Sequence, residues 1–181
     1  MSKLEEKKIS SVEYYRNPFL YIHEDDVSLP NGGRSKRIVI NHVGAVNVIA
    51  LTDAKELLLV RQYRYPLGLE TIETPAGKLE PDEDPIITAK KELEEETGYT
   101  CDSLELIGKH ASAPGFTNEM LYQFLASGVT KLDVAIVQDD EEIVELLTLS
   151  KDQAQMMVHT EKIIDLKTIY AIQYLTIAGL W

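Results

Sequence analysis

Two apolar runs constrain the fold of this chain more than any other feature. Residues 45–51 (AVNVIAL) and 56–64 (ELLLVRQYR) are continuously apolar over strand-length stretches instead of alternating with polar positions. Runs of this kind belong to a sheet covered on both faces, and the intervening TDAK reads as the turn of a hairpin joining them. Covering layers follow along the chain. Pro81 and Pro85 stand ahead of or at the first turn of an acidic stretch and Gly98 just past its end, which predicts a helix of about four turns. Two further helices close the chain. KDQAQMMVH is opened by Ser150 as N-cap, and LKTIYAIQYLTIAG carries Ile169, Ile172 and Leu175 as an apolar stripe. Strands framed by helices imply an α/β/α layered domain.

Before this unit, residues 12–23 (VEYYRNPFLYIH) and 34–41 (RSKRIVIN) read as strands joined by the turn SLPNGG, a small antiparallel unit with a boundary after His42. The expected division is 1–42 and 43–181. Beyond the acidic helix, LELIGKHASA, MLYQFLAS and EIVELLTL read as strands, the first two separated by the loop PGFTNE. There is no internal repeat and no low-complexity tract.

Charge narrows the partners. Thirty acidic against 18 basic residues give a formal charge of -12, which repels nucleic-acid polymers and anionic membrane surfaces, so a phosphate-bearing ligand needs local arginines or a bridging cation. Cys101 is the only cysteine, which fits a reducing compartment and reads as a small side chain at the start of a strand. MSKLEEKKIS lacks the apolar centre of a signal peptide, and no apolar run approaches a bilayer span; a cytoplasmic location is expected. His42 and His110 read as structural histidines.

The acidic helix needs its own explanation. Glu92 and Glu96 lie one turn apart with Glu95 about 60° away, so all three share one side, while Ile86, Ala89 and Leu93 should face the core and Glu94 the water. Carboxylates crowded at a helix C-terminus repel one another and oppose the macrodipole. A hard divalent cation would neutralise them; a solvated acidic face with Lys91 paired to Glu95 satisfies composition equally well.

Spacing separates the two readings. Gly77, Glu83, Lys91-Glu92-Leu93, Glu95-Glu96 and Gly98 resemble the signature of the Nudix hydrolases, G-x5-E-x7-R-E-U-x-E-E-x-G-U with U a bulky apolar residue. Lys91 replaces the family's arginine, and Tyr99 stands in the last apolar place. Lysine keeps the charge but loses the planar fork that orients neighbouring glutamates. The resemblance extends over nearly the whole chain and is closest to the ADP-ribose pyrophosphatase group, through RQYR, ETPAGKLE, NHVGAV and Pro114, 16 positions beyond Gly98.

That resemblance implies a Nudix-type α/β/α sandwich with a mixed sheet and an N-terminal antiparallel strand extension that exchanges contacts across a homodimer. It implies hydrolysis of ADP-ribose, a small nucleotide, to AMP and ribose 5-phosphate with Mg²⁺ or Mn²⁺. Carried over residue by residue, the Ala76 carbonyl and the carboxylates of Glu92 and Glu96 are the expected metal ligands, with Glu95 in a supporting catalytic place. Arg64 matches an arginine on the substrate's diphosphate. Gly115 and Glu119 fall in the substrate-binding loop, and Arg37 matches an arginine reaching the nucleotide from the partner subunit, although Ile38 stands where the family has a glutamate. Within QDDEEIVEL, Asp139 aligns with the base and Glu141 with a further metal ligand; a shift of two makes Glu141 the base. Two rivals remain: a Nudix hydrolase for another nucleoside diphosphate sugar such as ADP-glucose or GDP-mannose, and a Nudix-fold sensor that binds ADP-ribose without cleaving it.

Overall fold

The computed structural model describes residues 2–80, 83–134 and 143–181. In chain order the elements are β1 (Lys7–Arg16), β2 (Leu20–Ser28), β3 (Arg34–His42), β4 (Ala45–Ile49), β5 (Leu57–Arg64), β6 (Leu69–Glu73), β7 (Ala76–Lys78), α1 (Pro85–Thr97), β8 (Tyr99–Thr100), β9 (Ser103–Ala111), β10 (Met120–Ser127), β11 (Thr130–Lys131), β12 (Val144–Leu149), α2 (Lys151–His159) and α3 (Leu166–Ile177).

The two apolar runs form the centre. β4 lies parallel to β10 and antiparallel to β7, within a mixed sheet ordered β7-β4-β10-β9, and β5 sits between β12 and β6 in an antiparallel sheet. Successive side chains of a strand point to opposite faces, and here both faces are buried. Val46, Val48, Ala50 and Leu58 join Ala89 and Leu93 of α1 in one core, whereas Ile49, Leu57 and Leu59 join Ala171, Ile172 and Leu175 of α3 and Ala154 of α2 in another. The result is the expected α/β/α arrangement, with each fully buried Leu, Ile or Val contributing about 1.5–3 kcal/mol.

The expected hairpin is only a tip. Thr52 and Glu56 close it, Leu58 N–H donates to Ala50 O at 2.9 Å, and then β4 and β5 part into different sheets because each has a longer-range partner. The stretch expected as one strand over residues 12–23 is two. Pro18 has no N–H for a ladder, and Asn17 Oδ1 accepts from Phe19 N–H (2.9 Å) and Leu20 N–H (2.6 Å), which turns the chain between β1 and β2.

Helix α1 begins with the expected Pro85 at N1, and Asp84 is its N-cap, accepting from Ile86 N–H at 3.1 Å. It stops at Gly98, whose φ of 69° closes the left-handed cap through its N–H to Glu94 O (3.0 Å). Two of its faces differ from expectation. Ile86 is 41% exposed, its inward place being taken by Thr88, and Glu94 is not simply solvated, since Thr100 Oγ1 donates to it at 2.6 Å. The helix is nevertheless oriented by Ala89 and Leu93, both fully buried.

The sheet β1-β2-β3 is antiparallel, and every residue of β1 is exposed, including Ile9, Val12, Tyr14 and Tyr15. It is stitched to the rest through β3. Ile40 N–H donates to Phe116 O (2.8 Å), Asn118 N–H to Ile40 O (3.2 Å), and His42 N–H to Asn118 Oδ1 (2.8 Å). Among the described residues, no helix is long and apolar enough to cross a membrane.

Candidate active site

Three pieces of chain meet at the C-terminal end of α1. The segment Thr74-Pro75-Ala76 leads into β7 and is fixed from two sides: Val48 N–H donates to Pro75 O (2.9 Å), and Thr74 N–H donates to Thr168 Oγ1 of α3 (2.7 Å). Asp165, the N-cap of α3, in turn accepts from both the backbone N–H (3.0 Å) and the hydroxyl (2.6 Å) of Thr168. The helix start thereby anchors the strand that carries the Ala76 carbonyl.

Glu96 and Glu92 pack against that strand. Glu96 is 6% exposed, and its Oε2 accepts the Ala76 N–H at 2.9 Å. Glu92 lies so close to Gly77 that a Cβ there would fall 1.7 Å from its Oε1 and 2.0 Å from its Cδ. The glycine is therefore a space requirement of the carboxylate. Since a Glu92 side chain can swing aside, Gly77→Ala is expected to fold with a near-native melting curve and to lose at least about 100-fold in kcat, the scale of a 1 Å misplacement in an active site. Native kcat in a folded Gly77→Ala would show that Glu92 is not needed where it stands.

Ala76 and Gly77 form part of the wall of a cavity of about 460 Å³. Arg64, Asp165 and Lys167 line the same cavity. Arg64, at the end of β5, holds Glu73 bidentately, Nε to Oε1 and Nη2 to Oε2 at 2.7 Å each, and Lys167 Nζ and the Thr71 hydroxyl bind the same carboxylate. Burial alone would raise the Glu73 pKa; Arg64, Lys167 and Thr71 outweigh it and hold the carboxyl at about 2. Arg64 is raised in turn, first by its hydrogen bonds to Glu73, with Glu96 among the charges it senses.

Also lining the cavity, Glu119 accepts from Ser112 Oγ at 2.6 Å and lies 3.4 Å from His42 Nδ1, which itself accepts the Gly44 N–H at 3.0 Å. His42, expected to be structural, holds the Gly44 N–H and also lines the cavity. Lys167, Asp165, Glu73 and Ser112 are also cavity or near-cavity residues without a sequence signal: single polar residues, far apart in the chain.

The structure brings together Ala76, Glu92, Glu96, Arg64 and Glu119. It sets others apart. Glu95 borders a different hollow, of about 580 Å³, with Ile86, Lys91, Glu94 and residues 101–104. Among the described residues no ion pair joins Lys91 to Glu95, the pair that a solvated face would use. Gly115 is exposed at the turn closed by Phe116 N–H to Ala113 O (3.1 Å), with open space where a side chain would go. Arg37 is on β3, gripping Glu6 through Nη2 (2.6 Å) and Nε (2.9 Å), away from the cavity of its own chain. Asp139 and Glu141 lie outside the described residues. His110 packs its ring 4.5 Å from that of Tyr170.

Among the described residues no three His, Cys, Asp or Glu side chains make a ready metal cage. Two carboxylates and a backbone carbonyl are nonetheless the donor set that suits Mg²⁺, which keeps several waters and shares its sphere with substrate phosphates. Glu92 beside Gly77 and Glu96 on Ala76 thus fit a hard cation better than a soft one.

The model of the NUDIX domain family matches residues 41–170, a span that contains the carboxylate pair, the Ala76 strand and the cationic wall. The chain belongs to the NUDIX family. It is similar to the methanol dehydrogenase activator of Bacillus methanolicus, 44% identical over 97% of this chain and 95% of that protein. The ADP-ribose pyrophosphatase of Bacillus subtilis (strain 168) is 42% identical over the same shares. The NUDIX fold is also that of a crystal structure of an ADP compounds hydrolase, which superposes with a TM-score of 0.82 at 17% identity over 99% of this chain and 98% of that one.

Proposed function

We propose that this NUDIX protein hydrolyses the diphosphate linkage of ADP-ribose, with water, to AMP and ribose 5-phosphate. The observation that carries the reading is the pairing of Glu92 and Glu96 with the Gly77-Ala76 strand, which lines the same cavity as Arg64. The 42% likeness to an ADP-ribose pyrophosphatase along almost the entire length supports it.

Ala76, Glu92 and Glu96 would hold Mg²⁺ or Mn²⁺. A bound divalent cation supplies Lewis acidity at phosphoryl oxygens and lowers the pKa of water. The chain's own part is positional and electrostatic. Arg64, fixed by Glu73, offers N–H donors to the diphosphate in a fork geometry. Glu119 and its loop bind the rest of the nucleotide sugar, and Glu95 supports the carboxylate edge from its own face of α1. A carboxylate of the loop, Asp139 or Glu141, takes the proton from water as the P–O bond breaks. The homodimer belongs to the same proposal, with Arg37 reaching the partner's nucleotide and residues 1–42 as the extension that pairs; the site of action is cytoplasmic.

The test is AMP release from ADP-ribose by the purified protein with Mg²⁺ or Mn²⁺, abolished by chelation, beside a panel of ADP-glucose and GDP-mannose. Tight ADP-ribose binding with no nucleoside diphosphate sugar cleaved would establish the sensor instead. The 44% likeness to a methanol dehydrogenase activator favours one second reading, stimulation of a methanol dehydrogenase, which an assay of that enzyme with and without this chain decides.

A further inference from the structure

The family signature accounts for the carboxylates beside the Ala76–Gly77 strand but not for the second cation in the cavity wall. Lys167, in the first turn of α3, places Nζ between Glu73 Oε2 and Asp165 Oδ2, 3.1 Å from the latter, and its side chain is only 11% exposed. Arg64 comes from the end of β5 and grips the same Glu73, whose side chain is 4% exposed. Two elements remote in sequence therefore deliver an ammonium and a guanidinium to one buried carboxylate. Both cations border the cavity that contains Ala76 and Gly77, and both also border an adjoining hollow of about 480 Å³.

An ion pair buried for stability alone gains little, because desolvation offsets the attraction. This cluster is moreover incompletely used. Glu73 and Asp165 balance Arg64 and Lys167 in charge, so what the wall can offer an anion is directed N–H groups. A guanidinium has five such donors and an ammonium three. Glu73 takes two from Arg64, and among the described residues no hydrogen bond uses Arg64 Nη1; Glu73 and Asp165 engage Lys167 and leave it a third. The unspent donors belong to two cations anchored side by side, an arrangement that matches the paired oxygens of a diphosphate.

We propose that Lys167 is a substrate-binding residue that shares the diphosphate with Arg64, and that Glu73 is the positioning residue holding both cations. The proposal rests on the diphosphatase reading. It is tested with full-length wild type, Lys167→Met and Lys167→Arg, measuring kcat and KM for ADP-ribose and the affinity for inorganic pyrophosphate by titration calorimetry. Loss of one charge-assisted hydrogen bond is expected to raise KM and weaken pyrophosphate about tenfold or more in Lys167→Met, with a smaller change in kcat. Lys167→Arg should recover most of that loss. The Lys167→Met effect should also shrink in a Glu73→Gln background, as coupled residues do. If Lys167→Met does not fold, Lys167→Gln replaces it, keeping an N–H for Glu73 while losing the charge. KM and pyrophosphate affinity within twofold of wild type in either folded variant would overturn the proposal. If wild type cleaves no nucleoside diphosphate sugar, the diphosphatase reading fails by itself; pyrophosphate binding then still decides for or against Lys167, and no binding to wild type decides against.

Discussion

Glu96→Gln is expected to lower kcat for ADP-ribose by about three powers of ten, close to 4 kcal/mol of barrier, while leaving the protein folded. Glutamine preserves the size of the side chain and an oxygen to accept the Ala76 N–H, now held at 2.9 Å, so the strand need not move. What disappears is the negative charge beside the Ala76 carbonyl. Glu92→Gln should behave alike, and both variants should need more Mg²⁺ for half-maximal rate. Stability should respond in the opposite direction: without divalent cation, removing one of the crowded carboxylates relieves repulsion at the end of α1, so melting should be unchanged or higher. Glu94→Gln is the internal control, because Glu94 accepts from Thr100 and borders the other hollow. A Glu96→Gln enzyme with native kcat at ordinary Mg²⁺ would remove the carboxylate pair from the mechanism.

Deletion of residues 1–41 is expected to abolish the dimer and to cut kcat/KM by at least about 100-fold even at saturating metal. Of the deleted strands, β2 alone buries side chains, those of His23, Asp25 and Val27. β1 is exposed along its whole length, and the sheet is held by its backbone ladders, with surface pairs such as Lys8–Asp25, Lys36–Glu24 and Arg37–Glu6 beside them. A three-stranded sheet with such a surface is marginal unless it packs on something further, which is the argument for a second copy. Loss of activity has a separate cause within one chain. Ile40 supplies both hydrogen bonds that hold Phe116 and Asn118, and Asn118 precedes Glu119 at the cavity. Sedimentation and steady-state kinetics on the truncated protein check both halves; a fully active monomer at micromolar concentration would refute them together.

Where local chemistry decides, the sequence was legible. Pro85 and Gly98 delimit α1; Ser150 opens α2; and the apolar runs call for cover on both faces, which α1 on one side and α2 with α3 on the other provide. Where partners are remote, it was not. β4 finds β10 and β5 finds β12, pairings that no window around the TDAK turn contains, so a hairpin seemed sufficient. β7 has three residues, too few for a period. The same holds for the site. The box glutamates stand at spacings that a helix makes adjacent, whereas Glu73, Lys167, Asp165 and His42 become neighbours of the box only through sheet pairing and the docking of α3. Glu94 and Ile86 were misjudged for a related reason: helical angle gives a direction, but Thr100 and the exposed outer hollow lie on other elements.

The twofold burial of β4 has a consequence for how the chain finds its alignment. In a sheet with one wet face, a slip of one residue exposes every apolar side chain, and burial itself forbids the error. Here both faces are apolar, so a slipped β4 would still bury Val46, Val48 and Ile49, and the hydrophobic penalty would be small. Discrimination falls to the few polar or space-limited positions. Asn47, fully buried, reaches Thr74 Oγ1 with its Nδ2 at 3.3 Å and pairs across to Ala76, while neighbouring Val46 pairs with Gly77, which alone leaves room for Glu92. The residues that set the strand in phase are thus the ones that build the cation site, and a chain that folded out of phase would lose its chemistry before it lost its core.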